Sequence, residues 1–183
     1  MNGDNNRLLI SLLCASLYPN VVKILTPERS YIQTAGGAVP KLATAKDLRF
    51  KTKDDGFVSL HPSSVNYDVG DYKSPFLIFQ EKVKTSRIFV RECSMLPLVP
   101  LVLFAGSDLK IELHGGDFLF LIEDGWIMLK AYNHKVAEMI QCLRMELLKL
   151  LEEKIRDPCL NLLNHENGCK IIKNIVYLIA NNN

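Results

Sequence analysis

The 183-residue sequence predicts a mainly β protein, a barrel or sandwich of short strands with helices before and after it. Three observations carry that expectation. Between residues 21 and 131, short apolar or alternating segments are punctuated by Asp-Gly and Gly-Gly pairs. From His134 onward the apolar residues recur at helical spacing instead. A hydrophobic fraction of 48% against 23% charged residues is enough to bury a core, which excludes a wholly disordered chain.

Taken in order, Arg7 to Tyr18 reads as a helix that is apolar on nearly every side, ended by Pro19. Such a helix needs burial all round, so it is expected to close a neighbouring domain, with residues 1–19 as its terminal helix. With Met1 close to that edge, the chain reads as a piece of a longer protein. Val21 to Ile24 begins a strand. Thr26 to Ala45, rich in Thr, Ala, Gly and Pro, reads as a long surface loop. Leu48 to Thr52 and Phe57 to His61 flank Asp54-Asp55-Gly56, a hairpin signal expected to need positive φ at both turn positions.

Further strands are expected at Phe76 to Phe79, Val83 to Cys93, Leu109 to Leu113, Phe118 to Ile122 and Trp126 to Ala131. The run Met95 to Phe104, interrupted by Pro97 and Pro100, is a short helix or loop packed on the barrel. A long helix is predicted over His134 to Arg156, capped by Asn133 and stopped by Asp157-Pro158, with Arg144 among its solvated residues. A short one follows from Lys170 to Ala180. The expected organisation is thus residues 1–19, a barrel over 20–132 and a helical extension over 133–183.

Composition narrows the function. The formal charge is only +2, so nucleic-acid binding must come from a local patch rather than a general field. Five cysteines, odd in number and without a C-x-x-C pair, point to a reducing compartment. Cys159, His165 and Cys169 lie close together but lack the four-ligand paired spacing of structural zinc, so no metal is expected. Leu8 to Leu17 has one preceding cation and no clean cleavage site, and it is too short to span a bilayer. The chain holds no phosphate-binding G-x-x-x-x-G-K-[ST] loop, nucleophile elbow, H-E-x-x-H or dinucleotide fingerprint, and its four histidines are scattered. No catalytic residue is assigned.

Two polar segments stand out. In the first, alternation turns Val58 and Leu60 to one face and Phe57, Ser59 and His61 to the other, and Pro62, Ser63, Ser64 and Asn66 follow. These groups can stack on a base and donate to phosphate oxygens. They can equally satisfy their own backbone in a proline-anchored turn. The second is Glu81-Lys82-Val83-Lys84-Thr85-Ser86-Arg87, read as the polar half of a long strand whose other half, Ile88-Phe89-Val90, is apolar. It suits a barrel rim that touches a ligand, or an edge protected by lysines.

At these segments the chain resembles a known family. The stretches L-L-C-A-S-L-Y-P-N-V, D-G-F-V-S-L-H-P-S-S-V-N-Y, L-I-F-Q-E-K-V-K-T-S-R-I-F-V-R-E-C, L-V-L-F-A-G and D-G-W-I are similar, in this order, to the C-terminal region of DEAH-box RNA helicases. The group is the one related to RNA helicase A, most similar to its branch with RWD and CCCH zinc-finger modules upstream. The resemblance runs from about Asn6 to Ile179.

It implies a five-stranded oligonucleotide-binding (OB) fold barrel followed by a long and a short helix, with the first helix closing the helical ratchet domain. It implies single-stranded RNA contacts at His61, Ser63, Ser64, Lys84, Thr85, Ser86 and Arg87. It also implies RecA-like and ratchet domains as intramolecular partners, a monomer with no membrane contact, and a cytoplasmic or nuclear site of action. ATP and Mg2+ would serve the parent helicase and no cofactor this chain. A protein-docking module that holds the motor domains or recruits a helicase cofactor is the alternative function. Because no segment can cradle a triphosphate, the pure chain should show no RNA-stimulated ATPase activity. A phosphate-release assay with single-stranded RNA checks this, and turnover above a no-protein control would overturn the assignment.

Overall fold

The computed structural model describes residues 4–26, 31–34, 37–40, 44–106, 108–162 and 164–181. They divide into two compact units, one of residues 16–97 and one of residues 1–15 with 98–183. Among them no helix is long and apolar enough to cross a membrane.

The first unit is a closed five-stranded barrel. Helix α1 (Asn6–Leu17) leads into β1 (Val21–Leu25). A two-stranded hairpin follows, β2 (Tyr31–Thr34) with β3 (Gly37–Pro40), then a 3-10 turn at Ala45–Asp47. The barrel continues through β4 (Arg49–Thr52), β5 (Gly56–Leu60), β6 (Phe76–Lys84) and β7 (Ile88–Met95), ordered β1-β4-β5-β7-β6, with β6 pairing back onto β1. All neighbours are antiparallel except β5 and β7, which run parallel. Alternation drives the closure. Val22, Ile24, Phe50, Val58, Leu60 and Leu77 fill the interior, while intervening residues such as Lys23, Arg49 and Phe57 point away.

Three expectations need correction here. The stretch Thr26 to Ala45 is not loop throughout, since Tyr31–Thr34 pairs with Gly37–Pro40 and the β-branched residues Ile32, Thr34 and Val39 offset its glycines and prolines. Residues 27–30, 35–36 and 41–43 of that stretch lie outside the described residues. The β4–β5 turn has positive φ at Gly56 (+71°) but not at Asp55, so three residues, 53–55, connect Thr52 to its partner Gly56. The strand expected over Val83 to Cys93 is two strands, because the chain reverses at Thr85-Ser86-Arg87, where the Thr85 N–H donates to the Arg87 carbonyl at 2.8 Å.

The second unit contains α2 (Leu98–Phe104), a separate sheet of β8 (Leu109–His114), β9 (Asp117–Ile122) and β10 (Ile127–Lys130), and helices α3 (His134–Arg156) and α4 (Glu166–Asn181). The span 20–132 expected for the barrel therefore takes in both the closed barrel and this second sheet. Pro100 sits in the first turn of α2, where a missing N–H costs no helical bond. The Asn133 side chain accepts from the Val136 N–H at 2.9 Å and starts α3. His165, weighed above as a metal ligand, accepts from the Gly168 N–H through Nδ1 at 3.1 Å at the start of α4.

Arg144, read from sequence as solvated, is buried. Its guanidinium donates to the carbonyl of Val102 at 2.6 Å, one of those the C-terminus of α2 leaves unpaired, and to those of Ala105 at 2.5 Å and Gly106 just beyond the helix. The planar fork reaches all three from α3. Helix α1 is also used within this unit, through one side. Leu8 packs with Leu103, Ile175 and Ile179, and the Cys14 thiol lies against the Pro100 carbonyl, while Leu9, Leu12 and Leu13 remain exposed. Burial pushes the thiols of Cys14 and Cys93 up to about 12, so neither is a thiolate at neutral pH.

Two outcomes follow from this packing. Arg144→Ala should cost about 3 kcal/mol or more in urea unfolding, since three carbonyls lose their donor, and Arg144→Lys should recover little of it. Deleting residues 1–15 should lower the melting temperature of the helical circular-dichroism signal; an unchanged melt would show that Leu8 and Cys14 contribute nothing.

Candidate nucleic-acid interface

The barrel wall of β4, β5 and β7 carries several residues that sequence reasoning missed, and the sequence-predicted residues lie at its ends, after β5 and at the junction of β6 and β7. The parallel register sets Ser59 beside Phe89 and Leu60 beside Val90. Phe57, two residues before Ser59, and Arg87, two before Phe89, line one groove. The antiparallel register pairs Phe57 with Lys51, and continued from Phe50 and Val58 it places Arg49 alongside Ser59. Cations and rings are therefore interleaved across one outward face.

That face is concave. A groove of about 680 Å³ is lined by Lys46, Arg49, Phe57, Tyr67, Arg87 and Phe89, among others, with Asp68 as its acidic member. Phe57 is 61% exposed and Tyr67 46%, so both rings stand in solvent. The Arg49 guanidinium lies 5.9 Å from the Phe57 ring centroid, a cation–π distance. Exposed rings beside guanidinium groups are the elements that single-stranded nucleic acid uses, its bases stacking while its phosphates pair with cations.

His61 emerges at the end of β5, on the expected face. Its ring stands edge-on to Phe89, with centroids 5.8 Å apart, which ties it to the groove wall. The residues that follow largely satisfy one another. His61 Nδ1 is 2.7 Å from Ser63 Oγ and accepts the Ser63 N–H at 3.2 Å. Ser64 Oγ accepts from the Asn66 N–H at 3.3 Å, and Asn66 Nδ2 donates to the Cys93 carbonyl at 2.6 Å. The segment is thus the proline-anchored turn, held to β7 by Asn66, and Ser63 remains exposed at its surface.

Lys84 ends β6 opposite Ile88, and Thr85, Ser86 and Arg87 form the tip of the β6–β7 hairpin rather than part of a strand, all four exposed. Nearby, Lys82 Nζ is 2.5 Å from Asp55 Oδ2 in the β4–β5 turn, and that hydrogen bond holds the Asp55 carboxyl below the usual carboxylate range. Lys82 is thereby neutralised and Arg91 pairs with Glu81 at 3.4 Å, whereas Lys84 and Arg87 have no ion pair among the described residues. Arg87 alone of the predicted set lines the groove; His61 borders it through Phe89, and the others sit at the hairpin tip and the turn. Lys46, Arg49, Phe57, Tyr67 and Phe89 were not singled out from sequence. Phe57 was legible as an outward ring on an alternating strand, but its sharing a groove with Arg87, 30 residues further on, could not be read.

Charge is divided between the units. Residues 16–97 carry twelve Lys and Arg against eight Asp and Glu, and the remainder carries ten against twelve. The small net charge therefore conceals a basic barrel unit joined to an acidic helical one.

Comparison with known proteins identifies the family. Residues 9–108 match the family described as the oligonucleotide/oligosaccharide-binding (OB)-fold, and residues 119–181 match the C-terminal domain in RNA helicases. The chain is 46% identical over 179 residues to the human putative ATP-dependent RNA helicase DHX57, covering 98% of this chain and 13% of that protein. It is 34% identical over 161 residues to the mouse ATP-dependent DNA/RNA helicase DHX36, covering 86% and 14%. It is 33% identical over 177 residues to the Arabidopsis thaliana DExH-box ATP-dependent RNA helicase DExH1, covering 94% and 15%. The chain thus spans about a seventh of the length of these relatives. A closed barrel ordered β1-β4-β5-β7-β6 and a family match over more than half the residues lead to one conclusion: the chain belongs to the OB-fold family, here followed by the C-terminal domain of RNA helicases.

Proposed function

We propose that this chain is the RNA-binding accessory region of an ATP-dependent RNA helicase, holding a single strand by phosphate contacts and base stacking. The observation that carries the reading is the open groove lined by Arg49, Arg87 and Lys46 together with Phe57, Tyr67 and Phe89. In OB folds the second and third strands, with the loops joining strands one to two and four to five, form the ligand face. Here those strands are β4 and β5, and the loop between the fourth and fifth is the Lys84–Arg87 hairpin tip. His61, Ser63, Ser64, Lys84, Thr85, Ser86 and Arg87 are the proposed rim contacts, and Phe57 and Tyr67 the proposed platforms. In the parent helicase, motor domains outside this chain would supply ATP and Mg2+ chemistry, and the barrel would line the channel for the strand they move.

Fluorescence anisotropy with a single-stranded RNA tests the reading on the 183-residue chain. Lys84→Ala with Arg87→Ala should weaken binding and flatten the salt slope by roughly 1.4, two phosphate contacts at ~0.7 each. Phe57→Ala should cost about 1–3 kcal/mol, because a stacked base loses its platform, and leave the slope nearly unchanged. His61→Ala should behave the same way with a smaller loss. Lys135→Ala with Lys149→Ala, an equal charge change on the exposed face of α3, should do much less. Equal losses from both lysine-containing pairs would mean diffuse attraction and reject the groove. No binding even at low salt would favour the docking function instead.

A further inference from the structure

We propose that β8 is a self-complementary edge that pairs, antiparallel, with β8 of a second copy of this chain. The proposal goes beyond the RNA reading and shares no residue with the groove that carries it. In the sheet ordered β10-β9-β8, no strand among the described residues covers the outer side of β8.

The direction of its backbone groups follows from the β8–β9 turn. Gly115 and Gly116 have φ of +57° and +90° and connect the paired residues His114 and Asp117, a two-residue turn in which the flanking pair exchanges both hydrogen bonds. Bonding pairs then recur at Glu112 with Leu119 and Lys110 with Leu121. The Phe118 carbonyl accepts instead from the Ala131 N–H at 2.8 Å, which turns it toward β10 and away from its β8 neighbour Leu113. Leu109, Ile111 and Leu113 therefore aim their N–H and C=O groups outward, an edge of six residues with no proline and one lysine to defend it.

Side chains decide what can join that edge. Asp108, Lys110, Glu112 and His114 alternate along one face as acid, base, acid and a group that becomes cationic when protonated. Pairing two copies about Ile111 sets Lys110 opposite the second copy's Glu112 and Asp108 opposite the second copy's His114, and two-fold symmetry repeats both. Opposite charges facing each other across strands are favourable, and like charges are not. Registers centred on Leu109 or Leu113 pair fewer residues.

The other face is apolar, with Leu109, Ile111 and Leu113. Leu113 is 63% exposed, a knob without cover. In the Ile111-centred register the second copy's Leu113 lies beside Leu109, which lines a groove of about 310 Å³ together with Met145 and Leu148. Those two α3 side chains are 53% and 39% exposed, so each copy offers an apolar knob and a place for it. A foreign strand would have to carry the same alternation that this chain carries already. Two such short strands bury less than a standard interface, so the pairing should be weak and concentration-dependent, in contrast to the monomer expected from sequence.

Sedimentation equilibrium of the 183-residue chain, up to millimolar concentration, tests this with a charge exchange. The chain should show a monomer–dimer equilibrium. Lys110→Glu, or Glu112→Lys, should raise its Kd roughly tenfold or more, as two attractive pairs become repulsive. The Lys110–Asp124 ion pair lost in the first variant is exposed and 3.5 Å long, so folding should be unaffected, checked by circular dichroism. Mixing the two single variants should restore association, because every facing pair is then opposite in sign, and the double variant should dimerise like the original chain. A chain that stays monomeric throughout overturns the proposal. So does a dimer indifferent to the exchange, or a mixture that fails to associate.

Discussion

The parallel pairing of β5 with β7 is the contact on which the barrel's outward face depends. Every other connection in the barrel is antiparallel, and only this one brings residues near 57–61 beside residues near 87–90 with both strands running the same way. Because side chains alternate with a period of two, that register simultaneously seats Leu60 and Val90 in the core and presents Ser59 and Phe89 outside. A slip of one residue would exchange the two sets. The buried faces of Val58, Leu60 and Val90 thus hold the rings and cations of the groove in place without touching a ligand.

Electrostatics follows the same division of labour. The barrel unit is basic and the helical unit acidic, and the near-neutral total describes neither. Within the barrel, Asp55 and Glu81 engage Lys82 and Arg91, which lowers the local repulsion of a cation-rich hairpin and leaves the tip residues Lys84 and Arg87 to act outward. The Asp55 carboxyl is held low by Lys82, so the stabilisation it contributes is present above the ordinary carboxylate range and is lost as pH falls through its depressed pKa. The pair is partly exposed, and its contribution lies at the small end for ion pairs.

In the helical unit the organising group is Arg144. A short helix such as α2 ends with carbonyls that have no partner within the helix, and burial makes that costly. The guanidinium meets this need at the point where the chain leaves α2 for β8. The same helix that supplies Arg144 also exposes Met145 and Leu148 beside the open β8 edge, so one α3 segment closes the core on one side and leaves a surface on another.

Much of the fold was legible in the sequence because local patterns carry it. Helix α3 begins and ends where Asn133 and Asp157-Pro158 say it should, and the β4 and β5 segments announce themselves by alternation around a glycine turn. The similarity to helicase C-terminal regions rests on motifs equally local. What sequence could not supply were facts about distant neighbours. The three polar residues Thr85-Ser86-Arg87 looked continuous with a strand, and only pairing of β6 with β7 turns them into a tip. Arg144 occupied a polar position in the helical pattern and was buried because carbonyls at and just past the end of α2 wait for it. The strands after residue 108 had strand patterns, but which sheet they join is set by pairing and not by propensity. Composition, motifs and element types are written along the chain. The groove, the buried arginine and the open edge exist only once strands far apart in sequence have chosen their partners.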